Sequence, residues 1–234
     1  LMQEFPGAEI LRMDMDTVKG RDAHRKILED FAQGRADILL GTQMIAKGLD
    51  FDNVTLVGVI NADSGLFFPD FRAGERVFQL IYQVAGRAGR REKPGKAIIQ
   101  TYNPQDVYIQ NAAALNTHKF YNIALAQRQE LNYPPFSRIG RILFTGPRKD
   151  LVNHLAVKTS DRLRQDSEYK VLGPSPAPLE RIQNNWRTHL IIKTKDRMST
   201  SLHPFIHRQI GHAIFERKWK GVRIQIDIDP VSML

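Results

Sequence analysis

Gln83-Val84-Ala85-Gly86-Arg87-Ala88-Gly89-Arg90 places two arginines three residues apart at the end of a predicted helix, with glycines beside them. Residues at that spacing share a helical face. The glycines remove side chains that block a close approach to phosphate, and guanidinium groups keep their charge and present a planar fork matched to phosphate oxygens. The run also reads as a glycine-broken helix end whose solvated arginines complement the helix dipole.

A second run, Gly41-Thr42-Gln43-Met44-Ile45-Ala46-Lys47-Gly48-Leu49-Asp50-Phe51, follows a predicted buried strand. In open α/β sheets, ligands bind at loops leaving the carboxyl ends of strands. Thr42 and Gln43 offer neutral hydrogen-bonding groups and Lys47 a cation. Gly48 offers a backbone that a ligand can approach, and Asp50 an acceptor for a hydroxyl. Alternatively, this is an ordinary strand-to-helix turn with Thr42 as its N-cap.

Two aromatic groups accompany cations. Phe67, Phe68 and Phe71, near Arg72 and Arg76, can stack on bases while the arginines hold phosphates, or can form a packed loop. Trp186-Arg187, with Arg181 and His189 close by in sequence, reads as one surface contact cluster beside a proline-rich loop. None of the seven histidines makes a ligand-like pair on a clear helical face, so they read as structural or solvated and no metal site is expected. With no cysteine there is no disulfide, thiolate metal site or cysteine nucleophile.

These residues need a scaffold. The chain has 234 residues, 42% hydrophobic and 25% charged, within the range of globular proteins and enough for one large fold or two small ones. No run approaches the ~18 apolar residues of a membrane span. The net charge is +9, unevenly spread. Leu1 to Leu115 carry 14 basic and 15 acidic side chains, whereas Asn116 to Leu234 carry 20 basic and 10 acidic. Such an excess favours a polyanionic partner for the second half.

The first part alternates strands (Ala8 to Met13, Asp37 to Gly41, Val54 to Ile60, Lys96 to Thr101) with helices (Asp22 to Gln33, Ala73 to about Gly86, Gln105 to Leu115). The nearly continuous apolar strands predict a doubly wound parallel sheet covered on both faces. A helix over His118 to Leu131 then meets Tyr133-Pro134-Pro135-Phe136, which ends it and reads as a rigid strut. Beyond it the order is strand (Arg138 to Phe144), helix (Asp150 to Arg164), strand (Tyr169 to Leu172), loop (Gly173 to Asn185), strand (Thr188 to Thr194), helix (Ser199 to Lys218), strand (Val222 to Ile228). That is β-α-β-β-α-β, the ferredoxin-like arrangement of a smaller α+β domain. The expected boundaries are a lobe over 1–115, a helical linker over 116–136 and a basic domain over 137–234.

Taken together, the run after the second strand and Gln-Val-Ala-Gly-Arg-Ala-Gly-Arg about 30 residues later resemble motifs V and VI of superfamily 2 helicases. The resemblance extends to the run from Asn61 to Ala73, to Gln100-Thr101-Tyr102-Asn103-Pro104, to Tyr133-Pro134-Pro135-Phe136, to Leu172-Gly173-Pro174-Ser175-Pro176-Ala177-Pro178 and to Asp227-Ile228-Asp229-Pro230. Over nearly the whole chain these are similar to the PriA family of replication-restart helicases. Leu49 departs from the histidine that many members carry there.

The resemblance implies a RecA-like second motor lobe followed by a DNA-binding domain, in an ATP-driven motor moving 3′ to 5′ that recognises stalled forks and starts primosome assembly. It implies that Arg87 and Arg90 face the nucleotide γ-phosphate, one as an arginine finger, with Gln83 in the same cleft. Gly48, Asp50 and Gly86 would approach the nucleotide, and Thr42, Gln43 and Lys47 the DNA backbone. Arg72, Trp186 and Arg187 are further candidates for DNA contact. ATP with Mg²⁺ is the implied cofactor, shared with a first lobe. The chain itself has no G-x-x-x-x-G-K-[S/T] loop and no magnesium-holding Asp-Glu pair after a strand, so alone it is expected not to hydrolyse ATP. Together with the lack of a methionine at position 1, this suggests a piece of a longer protein whose zinc module lies upstream. The implied partners are forked DNA, the acidic tail of single-stranded DNA-binding protein and other primosome proteins, with no membrane, in the bacterial cytoplasm at the nucleoid. The competing class is a non-catalytic nucleic-acid or protein-interaction module on an inert α/β scaffold.

Overall fold

The computed structural model describes residues 1–14, 21–42, 51, 53–86, 95–195, 201–214 and 221–233. It divides into two compact units, one of 1–68 with 72–120 and one of 69–71 with 121–234.

In the first unit, β1 (Ile10–Met13) and β2 (Ile38–Gly41) pair in parallel, with Ile10 opposite Ile38 and Met13 opposite Gly41. They are linked through α1 (Arg21–Ala32). The helix ends as its sequence dictates. Gly34 takes φ +72, its N–H donates to the Phe31 carbonyl at 3.0 Å and the Arg35 N–H to the Asp30 carbonyl at 3.0 Å. This is a Schellman ending, which favours glycine at the left-handed position.

β3 (Leu56–Val59) and β4 (Lys96–Ile99) form a second parallel pair, with a 3-10 turn (Ala62–Gly65) and α2 (Ala73–Ala85) between them. α2 buries Ala73, Val77, Phe78 and Ile81 at helical spacing. α3 (Val107–Ala113) starts at Asp106, whose Oδ1 accepts from the N–H groups of Tyr108 (2.9 Å) and Ile109 (3.1 Å), a cap contributing about 1 kcal/mol. α4 (Thr117–Glu130) brings Phe120 onto Phe78, with ring centroids 3.7 Å apart.

The parallel pairing and strand–helix alternation match the expectation of an α/β lobe. The single doubly covered sheet does not appear: the described strands form two separate two-stranded pairs. β3 and β4 also alternate instead of being buried throughout, with Leu56 and Ile98 exposed. Among the described residues α2 touches this pair, and the side chains at every second position remain open.

The second unit contains β5 (Ile139–Gly146), α5 (Lys149–Leu163), β6 (Tyr169–Ile182), β7 (Asn185–Thr194), α6 (Leu202–Ile214) and β8 (Arg223–Ile228). All four strands are antiparallel, in the order β6-β7-β5-β8. One face is packed by both helices. Ile142, Phe144, Leu190 and Ile192 meet Val152, Leu155, Ala156 and Leu163 of α5 and Leu202, Phe205, Ile206 and Ile210 of α6. Each fully buried large side chain contributes about 1.5–3 kcal/mol relative to exposure. Tyr169 stacks on Phe205 with centroids 3.9 Å apart. Gly140 makes room for that packing, because a Cβ there would lie 2.7 Å from Ile206 Cδ1, which would have to shift.

The expected loop over Gly173 to Asn185 is a correction. β6 runs on to Ile182 and pairs with β7 through register shifts after Leu172 and Pro176. β6 is an edge strand, so Pro174, Pro176 and Pro178 have no second neighbour to which an N–H must be donated. The chain reverses at Gln183 (φ 46) and Asn184 (φ 64), the two left-handed residues of a tight hairpin. α6 is shorter in the described residues than the expected Ser199 to Lys218, whose ends lie outside them.

Candidate functional site

Arg87, Arg90, Gln43, Lys47, Gly48 and Asp50 lie outside the described residues. Of the residues expected near nucleotide or DNA in the first unit, Thr42 is exposed just beyond β2, and Gln83 is exposed in the last turns of α2. Gly86 closes α2, donating its N–H to the Tyr82 carbonyl at 3.0 Å. Arg72 is half-buried at the N-cap of α2, and its carbonyl accepts the Arg76 N–H at 3.0 Å.

Beyond the carboxyl ends of β3 and β4, Asp63 holds the loops together. Its carboxylate accepts from Tyr102 N (2.8 Å), Thr101 Oγ1 (2.8 Å) and Asn103 N (3.3 Å). The Tyr102 N–H, foremost among these donors, holds the Asp63 carboxyl below its ordinary range against the opposing effect of burial. Their spacing in the sequence gives no sign that one carboxylate joins these residues.

The three phenylalanines do not form one packed loop. Phe67 is 83% exposed and Phe68 is also exposed. Phe71 stacks on Tyr133 at 4.4 Å under the Arg128 guanidinium, 5.1 Å from the Phe71 centroid. The Tyr133 ring in turn lies 3.3 Å from Lys193 Nζ, which donates to the Leu131 carbonyl at 3.1 Å. Lys193 is only 4% exposed, and burial, with Lys170 nearby, lowers its pKa to about 8. Burial, helped by Asp70, raises that of Tyr133.

Residues opposite one another in an antiparallel pair share a face, and successive residues alternate. Trp186 is opposite Gly146 and Arg181, on the side of Ile142 and Phe144 that faces the helices. There Lys149 Nζ stands 4.5 Å and Arg181 Cζ 5.0 Å from its ring centroid, and Lys149 pairs with Glu180 at 2.7 Å. Arg187 and His189 point to the other side, where Arg187 and Arg223 flank Thr145, His189 and Gln225 flank Leu143, and Ile191 and Asp227 flank Arg141. The expected single cluster of Arg181, Trp186, Arg187 and His189 is therefore two clusters on opposite faces. Strand alternation separates what sequence proximity joins.

On the second face, Arg141 is 5% and His189 8% exposed. Burial lowers the Arg141 pKa, Asp227 opposes this and Arg187 adds to it. Burial, then Arg141 and Arg187, lower that of His189. His189 Nδ1 is buried with no hydrogen-bond partner among the described residues. Arg187 Nη1 donates to the Leu179 carbonyl at 3.1 Å, and Arg141 Nη1 lies 3.5 Å from the Ser232 carbonyl. Arg141, Lys193 and Arg223 were not singled out from sequence. The available signal was a basic residue set among apolar ones in each predicted strand.

Among the described residues no group of three or more His, Asp or Glu is placed to hold a metal ion, and no helix is long and apolar enough to cross a membrane.

Residues 1–92 match the family model described as the helicase conserved C-terminal domain, and residues 129–231 that of the primosomal protein N C-terminal domain. The chain is 43% identical over 236 residues to the replication restart protein PriA of Bacillus subtilis, covering 100% of this chain and 29% of the relative. It is 41% identical to that of Synechocystis (100% and 27%) and 40% identical to that of Chlamydia trachomatis (99% and 30%). Among solved structures, the C-terminal domain of the DEAD-box protein Dbp5 gives a loose likeness, with a TM-score of 0.35 and 19% identity over 52% of this chain and 70% of its own. The chain thus spans less than a third of the length of these curated relatives. Matched by both families and by these relatives along its whole length, it belongs to the PriA family and corresponds to a C-terminal portion of its members.

Proposed function

We propose that this chain serves as the C-terminal part of an ATP-dependent 3′-to-5′ DNA helicase that recognises stalled replication forks and initiates primosome assembly. The observation that carries the reading is the end-to-end match to proteins named for replication restart, with a helicase-type unit preceding a primosomal one. The uneven charge supports it: the near-neutral first half suits phosphate contact through a few placed residues, and the basic second half suits a polyanion.

In this reading residues 1–115 form a RecA-like motor lobe, 116–136 a linker and 137–234 a ferredoxin-like DNA-binding domain. The element order and antiparallel strand order of the second unit support the last assignment. Nucleotide hydrolysis, with Mg²⁺ held mainly by a first lobe in the longer protein, supplies the free energy for translocation. Arg87 and Arg90 bring guanidinium groups to the γ-phosphate, and an arginine finger contributes about 10³–10⁵ in rate in well-studied nucleotide hydrolases. Gln83 lies in the same cleft, Gly48, Asp50 and Gly86 approach the nucleotide, and Thr42, Gln43 and Lys47 couple it to the DNA backbone. Arg72, Trp186 and Arg187 add DNA contacts. Zinc belongs to an upstream module. The acidic tail of single-stranded DNA-binding protein and other primosome proteins are the protein partners, in the bacterial cytoplasm at the nucleoid. Alone, the chain does not hydrolyse ATP, for want of a phosphate loop.

The test is DNA-stimulated ATP hydrolysis by the complete protein carrying Arg90→Ala. The reading predicts a rate lower by at least two orders of magnitude, and an unchanged rate removes the motor role from this motif.

A further inference from the structure

We propose that the face of the four-stranded sheet turned away from the helices holds a DNA strand by its phosphates, with Arg187 and Arg223 as the contacting groups above Arg141 and His189. The inference rests on the reading of the second unit as DNA-binding and gives that binding a place.

Both helices pack on the opposite face. On this face one end is covered, where Lys193 meets Tyr133 and Arg141 approaches the Ser232 carbonyl. The other end is open: Arg223 and Gln225 are exposed, and Thr145 and Arg187 are half-buried. The row Arg187–Thr145–Arg223 crosses three strands, so the two arginines rise from backbones about 10 Å apart on either side of a small hydroxyl residue. Arg223 makes no ion pair among the described residues. Beneath this row Arg141 and His189 are buried; Arg187 disfavours the charged form of both and Arg141 that of His189, with Asp227 the acidic group opposing this at Arg141. His189 Nδ1 lacks a partner there. An anion at the open side offsets the mutual repulsion of Arg187 and Arg141.

The occupant follows from the chemistry of the surface. Guanidinium forks match phosphate oxygens bidentately, and a row of them suits a periodic polyanion. A folded or helical peptide needs an apolar anchor pocket, and of the apolar residues on these rows Leu143 is buried and Ile191 half-buried beside Arg141. The rows from Thr145 to Arg141 on this face carry no Phe, Tyr or Trp, and the His189 ring is buried, so bases are not stacked and the grip is independent of sequence.

The experiment is fluorescence anisotropy of a labelled fork, titrated with the 234-residue chain at several salt concentrations. Arg187→Ala/Arg223→Ala is expected to weaken binding by at least tenfold at low salt and to reduce the slope of log affinity against log salt by about two. Arg223→Glu, an exposed single change that leaves the fold intact, is expected to weaken binding further than Arg223→Ala. Arg162→Ala/Arg208→Ala removes the same charge from the helix side and is expected to leave the slope within half a unit. Wild-type binding that survives both face variants overturns the proposed face while leaving the DNA-binding reading in place. Equal losses in the face and helix-side variants also overturn it, since bulk charge then suffices. Failure of the wild-type chain to bind DNA overturns both.

Discussion

Trp186 and Arg187 are consecutive on β7 and point to opposite sides of the sheet, Trp186 toward Lys149 at the start of α5 and Arg187 toward Arg141 and His189. A single aromatic–cation pair in the sequence therefore supplies two surfaces, one on the helix side and one on the open side. The helix-side contact is modest. An exposed cation–π pair contributes about 0.5–1 kcal/mol, and an exposed ion pair such as Lys149–Glu180 less than about 1 kcal/mol. Lys149→Met is expected to cost about 1 kcal/mol in urea denaturation followed by tryptophan fluorescence, and a cost above about 3 kcal/mol would contradict this account.

Gly140 tests the packing of α6 on the sheet. An added methyl group meets Ile206 Cδ1 at 2.7 Å, in a strand held between two neighbours. Gly140→Ala is therefore expected to destabilise the second unit by about 1–3 kcal/mol, the range for overpacked cores. Shortening the opposing chain with Ile206→Val in the same protein should recover part of the loss. No recovery in the double variant counts against a direct clash.

Lys193 predicts an alkaline signature. Its pKa falls from 10.5 when unfolded to about 8 when folded, so between about pH 8 and 10.5 the unfolded chain binds more protons. Stability from this group therefore rises with pH across that window. Thermal midpoints of wild type and Lys193→Met, compared at pH 7, 8.5 and 9.5, should move in favour of the wild type as pH increases. A constant difference rules out the depressed pKa.

His189 predicts the acid counterpart. Burial and two arginines lower its folded pKa below 6.5, so the neutral ring is favoured in the fold and stability falls as pH drops below about 6.5. His189→Gln removes the titrating group and should flatten that part of the curve between pH 6.5 and 5. An unaltered acid slope in the variant would show that other groups set it.

The legible parts of this fold were those governed by local periodicity. Ile27, Leu28 and Phe31 with Gly34 announce α1 and its end, and β5 to β8 show in apolar runs. The proline-rich stretch after Leu172 misled because proline forbids a central strand but not an edge strand, and edge position is a tertiary fact. The buried cations Arg141 and Lys193 were missed for a related reason. Their burial depends on Tyr133, Leu131 and Ser232, up to about 90 residues away in the chain. Of the candidate site, Trp186 and Arg187 were legible as an aromatic–cation pair, but the face each occupies required the β5–β7 register.

The central claim is that this chain combines a DNA-gripping basic unit with a near-neutral helicase-type lobe. Its most direct test is the affinity of the 234-residue chain for a labelled fork as a function of salt. The account predicts tight binding at low salt that falls steeply, with log affinity declining by about 0.9 per phosphate contact for each unit of log salt. Binding that is absent at low salt, or unchanged as salt is raised, would contradict it.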